Sequence, residues 1–113
     1  MKPLLNFIIE QYGFAPMDKQ ILMNLESELN SELNKCKAGE QRKLWEDAID
    51  GKGPLDRIIT HYKMEIGDPT TGNIHDTDFR WLFCKGKKVA FIEFDDDYTG
   101  ENGYSAYIHV TNY

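Results

Sequence analysis

Helices followed by an antiparallel sheet, the α+β class, are what this 113-residue sequence predicts. Three observations predict it. Apolar residues recur every three or four positions through the first half, and they alternate with polar ones through much of the second. The change of period falls at a cluster of chain breakers, Gly51-Lys52-Gly53-Pro54. The expected architecture is a single domain, 1–113, with N-terminal helices packed on one face of a C-terminal four-stranded antiparallel meander.

The elements follow in order. Pro3 suits the first turn of a helix, Leu4, Leu5, Ile8, Ile9 and Tyr12 share one helical face, and Gly13 supplies a stop. After Phe14-Ala15-Pro16, the residues Ile21, Leu22, Leu25, Leu29, Leu33 and Cys36 form one apolar stripe on a long second helix ending near Gly39. Glu26, Glu28, Glu32 and Lys35 lie off that stripe. A third helix from Glu40 to Asp50 carries Leu44, Trp45, Ala48 and Ile49 inward.

From Ile58 to Ile66 two periods compete. Leu55, Ile58, Ile59 and Tyr62 fit a helix, whereas Ile58, Thr60, Tyr62, Met64 and Ile66 alternate over nine residues, and the longer pattern favours a strand. Phe79, Trp81 and Phe83 alternate with Arg80, Leu82 and Cys84. The tight Lys85-Gly86-Lys87 connection then leads into Val89 to Phe94, which is a hairpin signature. An Asp-, Gly- and Asn-rich turn from Asp95 to Gly103 precedes a last strand with Tyr104, Ala106, Ile108 and Val110 on one side. The helices cover one sheet face, and the core is expected to hold both tryptophans.

Acidic residues outnumber basic ones by 19 to 13, giving a net charge of -6. That charge repels a phosphate backbone, so direct nucleic-acid binding is disfavoured. The imbalance is uneven: ten acids face eight bases up to Thr60, and nine face five from His61 onward. Cys36 and Cys84 stand apart with no Cys-x-x-Cys or Cys/His neighbour, so a disulfide framework and a zinc set are both unexpected, and a reducing cytoplasm is the simplest setting. The N-terminal apolar run is interrupted by Asn6 and closed by Glu10, unlike a signal peptide. No stretch approaches the roughly 18 apolar residues of a membrane span.

The densest chemical feature is Asp95-Asp96-Asp97-Tyr98-Thr99-Gly100-Glu101. Adjacent carboxylates repel one another and gain stability from cations, donors or solvation. Asp95, Asp97, Thr99 and Gly100 match the opening of a calcium loop, but its twelfth position is Ala106 rather than Glu. The same segment reads better as a recognition surface, because Tyr98, Tyr104 and Tyr107 lie on or near it, and tyrosine offers amphipathic contact area at low entropic cost. Asp76 and Asp78 extend the acidic character into the preceding loop.

Other chemistries are poorly supported. His75-Asp76-x-Asp78, His61 and His109 lack the partner spacing of a hydrolytic metal site. Asp68-Pro69 with Glu93-Phe94-Asp95 resembles a nuclease carboxylate set only superficially, since its lysine is missing. Neither cysteine has a neighbour that would activate it, and no nucleophile elbow, phosphate loop or dinucleotide fingerprint occurs. The basic turn Lys85-Gly86-Lys87-Lys88 is explained by solubility and protection of a sheet margin.

The expectation is therefore a non-catalytic, cofactor-free protein that binds a basic protein partner. Bacterial immunity proteins and phage-encoded inhibitors, which mask toxins, nucleases or nucleic-acid-handling enzymes, share this general profile of size and charge. The partner-binding set would comprise Asp95, Asp96, Asp97, Tyr98, Glu101, Tyr104, Tyr107, Asp76 and Asp78. Two rival readings are a cation-dependent protein built on Asp95, Asp97, Glu101 and His75, and a structural subunit of a larger assembly.

Overall fold

A computed structural model describes residues 14–70, 78–100 and 103–112, with the backbone alone at 38, 97–100 and 103–105. The expected first helix, from Pro3 to Tyr12, lies outside these residues. Within them the order is α1 (Lys19–Leu33), α2 (Ala38–Ile49), α3 (Gly53–His61), β1 (Met64–Pro69), β2 (Phe79–Cys84), β3 (Lys87–Gly100) and β4 (Gly103–Thr111). The strands form one antiparallel sheet in the order β1-β2-β3-β4, a meander. The α+β arrangement, with helices packed against the sheet, agrees with the periodicities.

Helix α1 begins where Asp18 accepts a hydrogen bond from the Gln20 N–H at 2.8 Å, satisfying one of the free amides of the first turn. Its stripe of Leu22, Leu25, Leu29 and Leu33 is buried, whereas Ile21 falls off the stripe and is partly exposed. The helix ends with Asn34 as its cap, well before Gly39. Gly39 instead lies in the first turn of α2. The physical reason is a supplied acceptor partner: Gln41 of α2 folds back and donates through Nε2 to the Leu33 carbonyl at 3.0 Å, so the chain reverses without needing a glycine cap.

The expected strand from Ile58 to Ile66 is corrected. This stretch is the end of α3 followed by the start of β1. Pro54 sits in the first turn of α3, and Leu55 and Ile59, one turn apart, are both fully buried. Lys63, with φ 61°, takes the left-handed conformation that ends the helix. The nine-residue alternation was thus two elements in sequence, of which only Met64, Glu65 and Ile66 belong to the sheet.

Between β2 and β3, Lys85 and Gly86 both have positive φ (54° and 75°), the geometry whose twist suits a two-residue hairpin. A register irregularity follows between Leu82 and Phe83. One core then joins helices and sheet: Leu25, Leu29, Leu33, Trp45, Leu55 and Ile59 meet Leu82, Ala90, Ile92, Phe94, Ile108 and Val110. Trp45 stacks on Phe94, with ring centroids 5.7 Å apart. Trp81 does not join this core. Its neighbours in β2 alternate, so burial of Leu82 against the helices turns Phe79, Trp81 and Phe83 to the other sheet face.

Candidate protein-binding surface

The acidic segment is strand, not turn. Asp95, Asp96 and Asp97 pair with Tyr107, Ala106 and Ser105, and the ladder runs to Gly100 opposite Gly103. In an extended chain, oxygens at alternate positions share one face and do not curl around a point, as a calcium loop requires. The expectation of a turn from Asp95 to Gly103 is therefore corrected, since β3 runs to Gly100 and β4 starts at Gly103.

Because successive strand residues point to opposite faces, Asp95 and Asp96 have different fates. Asp96 follows Phe94 on the inner face. Its Oδ2 accepts from Arg42 Nη2 at 2.7 Å, and the same guanidinium donates to Asp78 at 2.6 Å through Nη1 and 3.2 Å through Nη2. Arg42 reaches them from α2 and lies over the Phe94 ring, 4.9 Å from its centroid. Hydrogen bonding to Asp78, reinforced by Asp96, raises the proton affinity of the guanidinium despite its partial desolvation. Asp78 and Asp96 thus fasten helix to sheet inside the chain.

Asp95 lies on the opposite face and is the freer carboxylate, with 64% of its side chain exposed. It stands across the ladder from Tyr107, which is 47% exposed. His109, next on that face, places Nε2 3.6 Å from Asp95 and Nδ1 4.0 Å from Glu26 of α1. The Tyr107 and His109 rings are in contact, with centroids 4.8 Å apart.

Tyr107 also borders an open depression of about 420 Å³ shared with Met23, Glu26, Asn30 and Asn34 of α1. Met23, 59% exposed, is the second large apolar side chain of this surface. Sequence reasoning missed it. The signal was available, since Met23 is an apolar residue on the polar side of the α1 stripe.

The edge of β4 beside this depression is closed by α1. Asn30 donates through Nδ2 to the Ile108 carbonyl and accepts through Oδ1 from the Ile108 N–H, both at 2.8 Å, and Glu26 accepts from the Val110 N–H at 3.2 Å. These side chains take the place of a fifth strand.

Of the residues expected to bind a partner, the structure brings Asp95 and Tyr107 together on the surface and ties Asp78 and Asp96 to Arg42. Asp76, Glu101 and the side chains of Asp97, Tyr98 and Tyr104 lie outside the described residues, as does His75. Asp68 lies on β1 and Glu93 and Asp95 on β3, with β2 between them. Among the described residues, no group of three or more His, Cys, Asp or Glu side chains is placed to hold a metal ion. Among the same residues, no helix is long and apolar enough to cross a membrane. No known protein family, curated protein or solved structure matches this chain.

Proposed function

We propose that this chain is a small acidic inhibitor that masks a basic surface of another protein, of the kind presented by toxins, nucleases and nucleic-acid-handling enzymes. The observation that carries the reading is the meeting of Met23 and Tyr107, both exposed, on one depression that Glu26 also lines, with the exposed Asp95 across the ladder from Tyr107. Apolar anchors within a charged rim are the anatomy of a recognition surface. A lysine- or arginine-bearing partner is favoured because net charge and local charge have the same sign. The contact set that follows is Asp95, Tyr107 and Met23, to which the neighbouring sequence adds Asp97, Tyr98, Glu101 and Tyr104. Asp78 and Asp96 support this surface through Arg42.

The test is parallel capture from the native host with wild type, Asp95→Lys and Tyr107→Ala, followed by kinetics on the purified partner. Asp95→Lys is expected to slow association and flatten its salt dependence, and Tyr107→Ala to quicken dissociation about tenfold or more, as loss of an anchor does. A partner that both variants bind as well as wild type does removes this surface from the proposal.

A further inference from the structure

His109 stands on β4 between two carboxylates that come from two other elements. Its Nε2 is 3.6 Å from Asp95 Oδ2 on β3, and its Nδ1 is 4.0 Å from Glu26 Oε1 on α1. Glu93 pairs directly with His109 across the β3–β4 ladder, so a third carboxylate shares its face. Tyr107, two residues back on β4, touches the ring with centroids 4.8 Å apart, and β2 contributes the apolar Phe79 opposite Glu93. With 40% of its side chain exposed, His109 exchanges protons freely with solvent.

Neither distance is that of a hydrogen bond, and both are those of an ion pair. A neutral imidazole carries one N–H and turns a lone pair toward whichever carboxylate faces its other nitrogen, whereas the imidazolium carries an N–H on both. Two carboxylates at two ring nitrogens are therefore matched to the protonated ring. Glu26 is already set for the contact, because the same Oε1 accepts from the Val110 N–H at 3.2 Å. Histidine is also the side chain suited to change charge between about pH 5 and 8.

We infer that His109 is a proton-operated latch on the binding surface: neutral, it leaves Asp95 and Glu26 to the cations of a basic partner, and protonated, it pairs with both and withdraws them. The latch rests on the inhibitor reading for its purpose, though its contacts lie within the chain. Its effect has one sign. Acid adds a positive charge among Glu26, Glu93 and Asp95, so affinity for a lysine- or arginine-bearing partner falls as pH falls. The proton and the partner's cation compete for the same two carboxylates, and by linkage each displaces the other.

Carbon-13 spectra of the side-chain carboxyls test the latch in the free chain. From about pH 8 to about pH 5.5, the Asp95 and Glu26 resonances should move in step with the His109 imidazole, and His109→Gln should leave them nearly flat. A tetralysine peptide serves as the cationic probe of the surface. Its perturbation of the Asp95 and Tyr107 amides should weaken severalfold at the acid end in wild type and stay constant in His109→Gln, while His61→Gln, at the end of α3, behaves as wild type. Carboxyl resonances that do not follow the imidazole, or that shift equally in His109→Gln, overturn the latch. So does a peptide bound equally at both pH values. A peptide that bypasses Asp95 and Tyr107 throughout, while the carboxyls follow the imidazole, removes the inhibitor surface and upholds the latch within the chain.

Discussion

The Asn30 carboxamide pairs with both backbone groups of Ile108, accepting through Oδ1 from its N–H and donating through Nδ2 to its C=O, as a strand neighbour would. A helix side chain thereby closes the edge of the sheet over residues that are fully buried. Asn30→Ala would leave a buried donor and a buried acceptor unpaired, at a cost of about 2–3 kcal/mol, measurable as a lower urea midpoint. The opened edge should also promote concentration-dependent self-association, detectable by light scattering. Asn30→Asp should not rescue stability at neutral pH, because a carboxylate would face the Ile108 carbonyl with no donor.

Arg42 donates to both Asp78 and Asp96. Arg42→Met would leave two carboxylates close together with their shared cation gone. Since the arginine side chain is 32% exposed, solvent screening reduces the loss to about 1–3 kcal/mol. Arg42→Lys should recover little, because an ammonium cannot reproduce the forked contact. Thermal denaturation of Arg42→Met, Asp96→Asn and the double variant should show strong non-additivity.

At Gly67, a methyl group would fall 2.2 Å from Cε2 of Phe83 and 2.6 Å from Cδ2. The ring cannot yield by a simple rotation of a flexible tip. Gly67→Ala is expected to destabilise the fold by about 1–3 kcal/mol, the usual cost of overpacking. The double variant Gly67→Ala, Phe83→Leu should recover part of that loss in chemical denaturation.

The Tyr62 phenol is held above its ordinary titration range, first by its hydrogen bond with Glu28, then by desolvation and by the negative charge of the same carboxylate. Because the folded value is the raised one, the stabilisation is complete below the pKa of the unfolded phenol. It is lost as pH rises through the folded value. An ultraviolet titration should find one tyrosine ionising late, and Glu28→Gln should bring it back toward the others.

Much of the fold was legible because each element carried its own local instruction. The leucine stripe of α1 needs only helical spacing to become an apolar face, and Lys85-Gly86 needs only permissive φ values to close the β2–β3 turn. The Ile58–Ile66 stretch was misread because alternation does not distinguish one strand from a helix end abutting a strand start. Burial of Leu55 and Ile59 against the core decided it. The candidate surface was half legible: Asp95 and Tyr107 were named from composition, whereas the exposed Met23 came from helix α1, distant in sequence.

By itself, then, the sequence determined the class of the protein, its helix faces, its hairpin and its negative charge, all properties of residues near one another along the chain. The tertiary structure alone decided which aspartates face outward. Strand alternation makes Asp95 and Asp96 opposites, but only the docking of α2 sets Arg42 beneath Asp96 and leaves Asp95 to the solvent. The sign of a local charge can be read from one residue, while its neutralisation depends on a partner more than fifty positions away.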